Sequence, residues 1–485
     1  MPLQAAPPAP PPSHLRHLAP LAWALAAALS GCTALAPPSA ALPETPVPGA
    51  WTTQVASPYA LAAPAAASLA EWWERFNDPQ LTALITQALQ ANTDVRSAQA
   101  ALLQARALRD VRTASLLPAL GTSASARRSQ TGSAEPGNSF QAGFDASWEP
   151  DVFGGNRSAV NATTADAQAA EASLGNVQVS IAAEVAVTYI ELRGLQARLA
   201  IAQSNLAAQQ ETLQLSRWRA QAGLVSSLDV EQAMAASEQT SAQIPLLQTS
   251  AAQALSSLAV LSGQAPGTLQ ASLGAPAAVP QAPADLALAL PADTLRQRPD
   301  VRAAERRISA ALARVAQADA ARYPGFQLGG SLGLNALTLG TLTSGASVVR
   351  SLLASVSVPL FDGGAARAQV RAQEAALEQT RVAYQGTVLT ALKDVEDALV
   401  SLQGNRERLA RLQAAAEAAG NADLLAGQRY ASGLIDFRSV LETQRTLLST
   451  QDSVESTRAS LSADHVRLYK ALGGGWTPAT DTAAP

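Results

Sequence analysis

The stretch Phe140–Trp148, FQAGFDASW, alternates without a break: Phe140, Ala142, Phe144, Ala146 and Trp148 are apolar, and Gln141, Gly143, Asp145 and Ser147 lie between them. A period of two predicts a β-strand with one apolar and one polar face. The pattern returns at Phe326–Asn335, FQLGGSLGLN, where Phe326, Leu328, Leu332 and Leu334 alternate with Gln327, Gly329, Ser331, Gly333 and Asn335. Residues 119–129 and 347–358 supply weaker partner strands, with TGSAEPGNS and TLGTLTSGAS as the hairpin loops. The strands therefore fall at about 118–150 and about 324–359.

Four strands per chain is the decisive number. Strands of about 9–11 residues can cross a bilayer, but an open four-stranded sheet leaves unpaired edges in lipid, and closed membrane barrels need about eight strands or more. The barrel must then be built from several chains. Two chains give a barrel filled by side chains, and three give one wide enough for a channel.

Outward from the strands, beyond Gly154-Gly155 and Gly363-Gly364, the period becomes that of a helix. Val185, Thr188, Leu192, Leu195, Leu199, Ala202 and Leu206 step by three and four, as do Leu392, Val395, Leu399 and Leu402, which is the seam of a coiled coil. Asn156–Gln221 read as one helix is about 100 Å long at 1.5 Å per residue, longer than a compact domain needs. Gly223 and Gly433 fall where such helices stop, since glycine tolerates the left-handed cap. Return helices follow through Leu261 and Leu472, with a kink expected at Ile244-Pro245. RAQAGLVSSLDV and RYASGLIDFRSV, at about 219–229 and 429–439, are thus the tips of two long helical hairpins.

The chain is a duplication. Asp94, Val95, Arg96 and Pro118 recur 206 residues later as Asp300, Val301, Arg302 and Pro324; the glycine pairs are 209 apart and the tips 210. Three ordered blocks define one unit at 71–270 and a second at 291–476, joined by a linker at 271–290 and followed by a disordered tail, 477–485. Each unit far exceeds a solenoid repeat.

Composition removes most enzyme classes. The net charge of −4 gives no reason to expect nucleic acid, and after residue 31 the sole histidine is His465. Cys32 is the only cysteine, so disulfide frameworks, Cys/His zinc sites and cysteine nucleophiles are absent, and no cofactor is expected. GGSLG, Gly329–Gly333, matches the Gly-x-Ser-x-Gly elbow of hydrolases, but Ser331 belongs to a predicted strand and only His465 is present to serve it. The only lysines are Lys393 and Lys470, neither in a phosphate-binding loop, so any work the chain does must draw its energy from a partner.

At the N-terminus Arg16 precedes an apolar run, Leu18 to Leu29, the form of a signal peptide covering 1–31. Leu29-Ser30-Gly31-Cys32 then resembles the bacterial lipobox, which makes Cys32 the lipidated residue of an Ala- and Pro-rich tether, 32–70. Under the sorting rule of similar lipoproteins, Thr33 rather than aspartate after the cysteine points to the outer membrane.

WWERFNDPQLTALITQALQAN, RPDVRAAERRISAALARVAQADAARYPGFQLGGSLG, VPLFDGG and the two Gly-Leu turns together resemble the outer membrane factors, the TolC-like channels of efflux systems, in their NodT-type lipoprotein branch. The resemblance covers residues 71–472. It implies a mixed α/β membrane protein: a homotrimer whose twelve-stranded transmembrane β-barrel, four strands per chain, continues as a long periplasmic α-helical coiled-coil barrel. The implied partners are outer membrane lipid, a periplasmic adaptor (membrane fusion) protein and an inner membrane pump of the resistance-nodulation-division class. The implied function is a passive exit duct for small molecules. A channel for type I protein secretion or heavy-metal efflux shares the pattern, and a periplasmic coiled-coil scaffold is the reading from another class.

Gly223, Leu224 and Val225, with Gly433, Leu434 and Ile435, put apolar residues at the tips. An ordinary turn whose leucine folds back on its own helices explains them as well as adaptor docking does, which the resemblance implies. Spacings of four and three place Arg438, Glu442 and Arg445 on one helix face. By spacing alone that is an exposed ion-pair ladder. The resemblance implies a periplasmic gate there instead, with Tyr430 and Asp436 as hydrogen-bond partners between helices.

Overall fold

The computed structural model describes residues 42–43, 47–52, 69–133, 135–283 and 291–477; the signal segment, Cys32, most of the tether and the tail beyond Thr477 lie outside the described residues. The chain divides into two units, one built on residues 114–160 and 312–374 and the other on 42–113, 161–311 and 375–485.

The first unit is an antiparallel sheet in the order β1 (Ala119–Ser129), β2 (Gly137–Trp148), β3 (Gly325–Ala336) and β4 (Val348–Ser357). The hairpin loop before β4 contains two short 3-10 turns, Leu339–Thr341 and Gly345–Ser347. Register assigns every strand residue to a face. Thr122, Phe144 and Leu332 align with Arg350, and Ala146 aligns with Leu120 and Gly330, so the apolar positions of all four strands fall on one side. The other side carries polar pairs: Ser123 Oγ donates to Asp145 at 2.9 Å, and the Ser331 and Ser351 hydroxyls are 2.7 Å apart. Ser331 is therefore a sheet residue bonded across strands, as its alternating neighbours imply.

Among the described residues little covers the apolar side. Leu120 is 73% exposed and Leu352 87%. β2 and β3 come so close at Gly143 and Gly333 that a Cβ on Gly143 would lie 2.7 Å from the Gly333 Cα. Aromatic rings gather at the end of the sheet opposite the hairpin loops: Phe153 stacks on Tyr323 at 4.9 Å and on Phe326 at 6.3 Å, and the Trp148 indole N–H donates to the Leu116 carbonyl. Each edge strand, β1 and β4, pairs on one side only.

The longer helices are α1 (Pro79–Ala91), α2 (Thr93–Ala114), α3 (Gly155–Gln221), α4 (Ser227–Leu261), α5 (Pro299–Ala320), α6 (Ala365–Ala431) and α7 (Phe437–Ala471). α3 and α6 have 67 residues each, and their return helices α4 and α7 have 35 each. α4 runs unbroken through Pro245, whose missing N–H costs one helical bond without ending the helix. α1 begins as its sequence dictates: Asp78 accepts from the N–H groups of Gln80 and Leu81, and Pro79 fills a first-turn position that needs no donor.

The core of the second unit surrounds Trp72, which is fully buried and stacks on Tyr469 at 5.5 Å. Seam residues expected from the sequence lie in it: Val185, Leu192, Val395, Leu399 and Leu402 are all buried to 0% exposure. Polar side chains tie helix starts to helix ends in two matching places. Asn92 caps α2 through Asp94 and Val95 and donates 2.9 Å to the Leu261 carbonyl, where α4 stops. Arg298, just before α5, donates 2.9 Å to the Ala471 carbonyl, where α7 stops, and pairs with Asp300 and Asp394. From the tether, the Thr52 N–H donates to Glu396.

Candidate functional site at the hairpin tips

The two tips are built by the same device. At the end of α3 the Leu224 N–H reaches back to the Arg219 carbonyl at 2.8 Å and the Gly223 N–H to Ala220 at 2.9 Å; Gly223 has φ 70°. At the end of α6 Leu434 bonds to Arg429 at 2.9 Å and Gly433 to Tyr430 at 3.0 Å, with φ 72° at Gly433. This is the Schellman closure, and the left-handed position explains why both tips carry glycine. Such a closure usually folds the next apolar residue back on the helix. Here it does not: Leu224 is 74% exposed and Leu434 73%. Val225 and Ile435 are half-buried, and Ile435 packs against the apolar knot described below.

The return helices start on mirrored caps. Ser226 and Asp229 bond reciprocally at the start of α4, the Asp229 carboxylate accepting from the Ser226 N–H at 3.0 Å. At the start of α7 the acid and the hydroxyl exchange places: Asp436 accepts from the Ser439 N–H at 3.0 Å and its hydroxyl at 2.6 Å. Those bonds, with a smaller contribution from the Arg438 charge, hold the Asp436 carboxyl below the usual carboxylate range. Asp436 therefore caps its own helix within the chain, where a bond between helices was expected.

Tyr430 also acts differently from expectation. Among the described residues its hydroxyl is buried with no hydrogen-bond partner, and its ring makes the contacts. The Arg219 guanidinium lies over that ring at 4.5 Å and donates weakly to the Tyr430 carbonyl, and Phe437 meets the ring at 5.4 Å. Around them Leu213, Ala233, Ala236, Ala426, Val440 and Leu441 form an apolar knot to which all four hairpin helices contribute.

Arg438, Glu442 and Arg445 are exposed on α7, on a flank beside the buried face of Phe437, Val440 and Leu441. The structure brings the three to one face, but among the described residues they form no ion pair with one another, so the ladder expected from spacing is absent.

A set of contacts that the sequence reading missed links α3 to the second hairpin. Arg198 pairs with Asp452 at 2.7 Å, Asn205 bonds to Gln451 at 3.0 Å, Gln444 donates to Thr212 at 3.2 Å, and Arg219 covers Tyr430. Positions 198, 205, 212 and 219 are spaced by seven, so the signal was a polar heptad beside the apolar seam. Thr443 donates to Asp423, joining α7 to α6; burial pushes the Asp423 carboxyl up, opposed by that bond. Among the described residues no group of acids, histidines or cysteines is arranged to hold a metal.

Comparison with known proteins gives one consistent answer. The family model for outer membrane efflux proteins matches residues 84–264 and 290–474. The chain is 32% identical over 475 residues to the toluene efflux pump outer membrane protein TtgF of Pseudomonas putida, covering 94% of this chain and 96% of that protein. It is 32% identical over 433 residues to the pyoverdine export outer membrane protein OpmQ of Pseudomonas aeruginosa, covering 85% and 88%. Among solved structures, the outer-membrane channel OprN superposes with a TM-score of 0.82 at 34% identity, covering 90% of this chain and 100% of that one.

Proposed function

The chain belongs to the outer membrane efflux protein family, and on that premise we propose that it is the exit duct of a tripartite efflux pump, a passive channel for small toxic molecules. One observation carries the reading furthest: four strands with an apolar and a polar face, both edges unpaired. Open edges are untenable in lipid, so β1 of one chain pairs with β4 of the next. Three chains then close twelve strands around a water-filled lumen, with lipid on the apolar side and a helical tunnel on the periplasmic side. The trimer also gives cover to α4, which is apolar enough by length and composition to cross a membrane and is only 22% buried over that window.

The exposed leucines at the tips, Leu224 and Leu434, meet the periplasmic adaptor, which in turn contacts a pump of the resistance-nodulation-division class. Their exposure supports this over an ordinary turn. Arg438, Glu442 and Arg445 from three chains ring the periplasmic mouth as its gate; their exposure and lack of mutual ion pairs support it. Cys32 carries the acyl anchor, supported by the LSGC motif.

Deletion of the gene, with plasmid complementation, tests the function. Susceptibility to small apolar toxicants and their accumulation in cells should rise and return to normal on complementation. No change in either, with pump and adaptor present, overturns the proposal.

A further inference from the structure

The lipid-facing side of the sheet carries two charges, and both are arginines. Its positions run through Leu120, Thr122, Ala124, Ala126 and Arg128 on β1, and through Val348, Arg350, Leu352, Ala354 and Val356 on β4. β2 and β3 supply Asn138, Phe140, Ala142, Phe144, Ala146 and Trp148, and Phe326, Leu328, Gly330, Leu332, Leu334 and Ala336, with no acid among them. Arg128 is the residue before the last of β1, and Arg350 is the third of β4, so both lie next to the hairpin loops. Both are exposed, and neither has an ion pair or side-chain hydrogen bond among the described residues.

A guanidinium on a lipid-facing strand is unfavourable in hydrocarbon and tolerated near the interface, where it reaches up to headgroup oxygens. The aromatic rings mark the other end of the sheet, so the two ends carry different anchors. β1 and β4 are the two edge strands. Closure by neighbouring chains with these edge strands paired along their full length brings Arg128 of one chain within about two residues of Arg350 of the next, a two-cation notch at every subunit seam.

We propose that this notch binds the phosphate groups of a phosphorylated glucosamine lipid of the outer leaflet. The proposal rests on the barrel reading above. Two forked donors on an otherwise apolar wall suit a phosphate monoester on a many-chained lipid: the fork takes its oxygens, and Leu352 and Phe144 take the chains. The geometry places three such sites around the trimer, each shared by two chains.

Native mass spectrometry of the purified channel tests the site, using bisphosphorylated glucosamine lipid, its dephosphorylated form and phosphatidylglycerol as separate probes. The wild type should retain the bisphosphorylated probe best. Arg128→Gln with Arg350→Gln should lower that retention about tenfold, and Arg128→Lys with Arg350→Lys should restore part of it. Equal retention by wild type and the glutamine variant overturns the site. Equal retention of phosphatidylglycerol by the wild type overturns the choice of lipid. Channel conductance of the same samples separates the two readings: channels without the lipid preference contradict this site alone, and no channels contradict the barrel as well.

Discussion

Arg219 holds Tyr430 through the face of its ring, at 4.5 Å, while the Tyr430 hydroxyl is buried and makes no hydrogen bond among the described residues. The two residues end α3 and α6, so this contact joins one hairpin tip to the other. It follows that Tyr430→Phe should leave the joint intact, because the cation, the ring and its packing remain. Tyr430→Ala should cost about 3 kcal/mol by opening the knot. Hydrogen exchange at residues 425–441 should distinguish them. Faster exchange in Tyr430→Phe, equal to that of Tyr430→Ala, would show that the hydroxyl matters after all.

At Gly143 a Cβ would fall 2.7 Å from the Gly333 Cα, whereas at Gly121 it would be 3.9 Å from the nearest atom, the Asp145 carbonyl oxygen. Gly143→Val should therefore prevent β2 from pairing with β3 and, on the proposed trimeric barrel, leave the purified protein monomeric by light scattering. Gly121→Ala is expected to be neutral. A Gly143→Val protein with the same oligomeric mass as wild type would mean that the strands can separate without cost.

Leu224 and Leu434 contribute little to the folding of a single chain because they are so exposed. Leu224→Asp with Leu434→Asp should leave the melting temperature within a few degrees of wild type and abolish both export and cross-linking to the adaptor. Gly433→Pro should be harsher, since proline cannot adopt φ 72° and lacks the N–H that bonds to Tyr430. Undiminished export by the double aspartate variant would assign docking to other residues.

Burial, with Arg406 and Arg75 nearby, lowers the His465 pKa to about 4. The unfolded chain binds a proton near pH 6.5, so between that value and pH 4 it holds more protons than the folded one. Stability from the neutral imidazole is complete above pH 6.5 and is lost as pH falls towards 4, about 3 kcal/mol per chain. His465→Gln should flatten that part of the stability profile. A profile as steep as wild type would place the acid sensitivity elsewhere.

Much of this structure could be read in the chain because its signals are local and repeated. Strand alternation at Phe140–Trp148, the long helical seam and the glycines at 223 and 433 each follow from one residue's φ or one element's period. Side-chain roles at the tip were less legible. Asp436 could be seen as polar and near a turn, but whether it bonds within α7 or to another helix depends on where Ser439 stands, three residues on. Tyr430 was noticed for its hydroxyl, yet the partner that fixes its role, Arg219, is 211 residues away in sequence. Arg198, Asn205 and Thr212 were passed over because the apolar seam at Leu192, Leu195 and Leu199 dominates the same helix.

On the function proposed above, several copies of this chain enclose one passive aqueous duct, narrowed where Arg438 and Glu442 face the axis. Single-channel recording of the purified protein in a planar bilayer tests it most directly. The wild type should give discrete conductance steps, and Arg438→Ala with Glu442→Ala larger steps with altered ion selectivity. Inserted protein that gives no steps in either form would contradict the duct, and steps of identical size and selectivity would remove these residues from its gate.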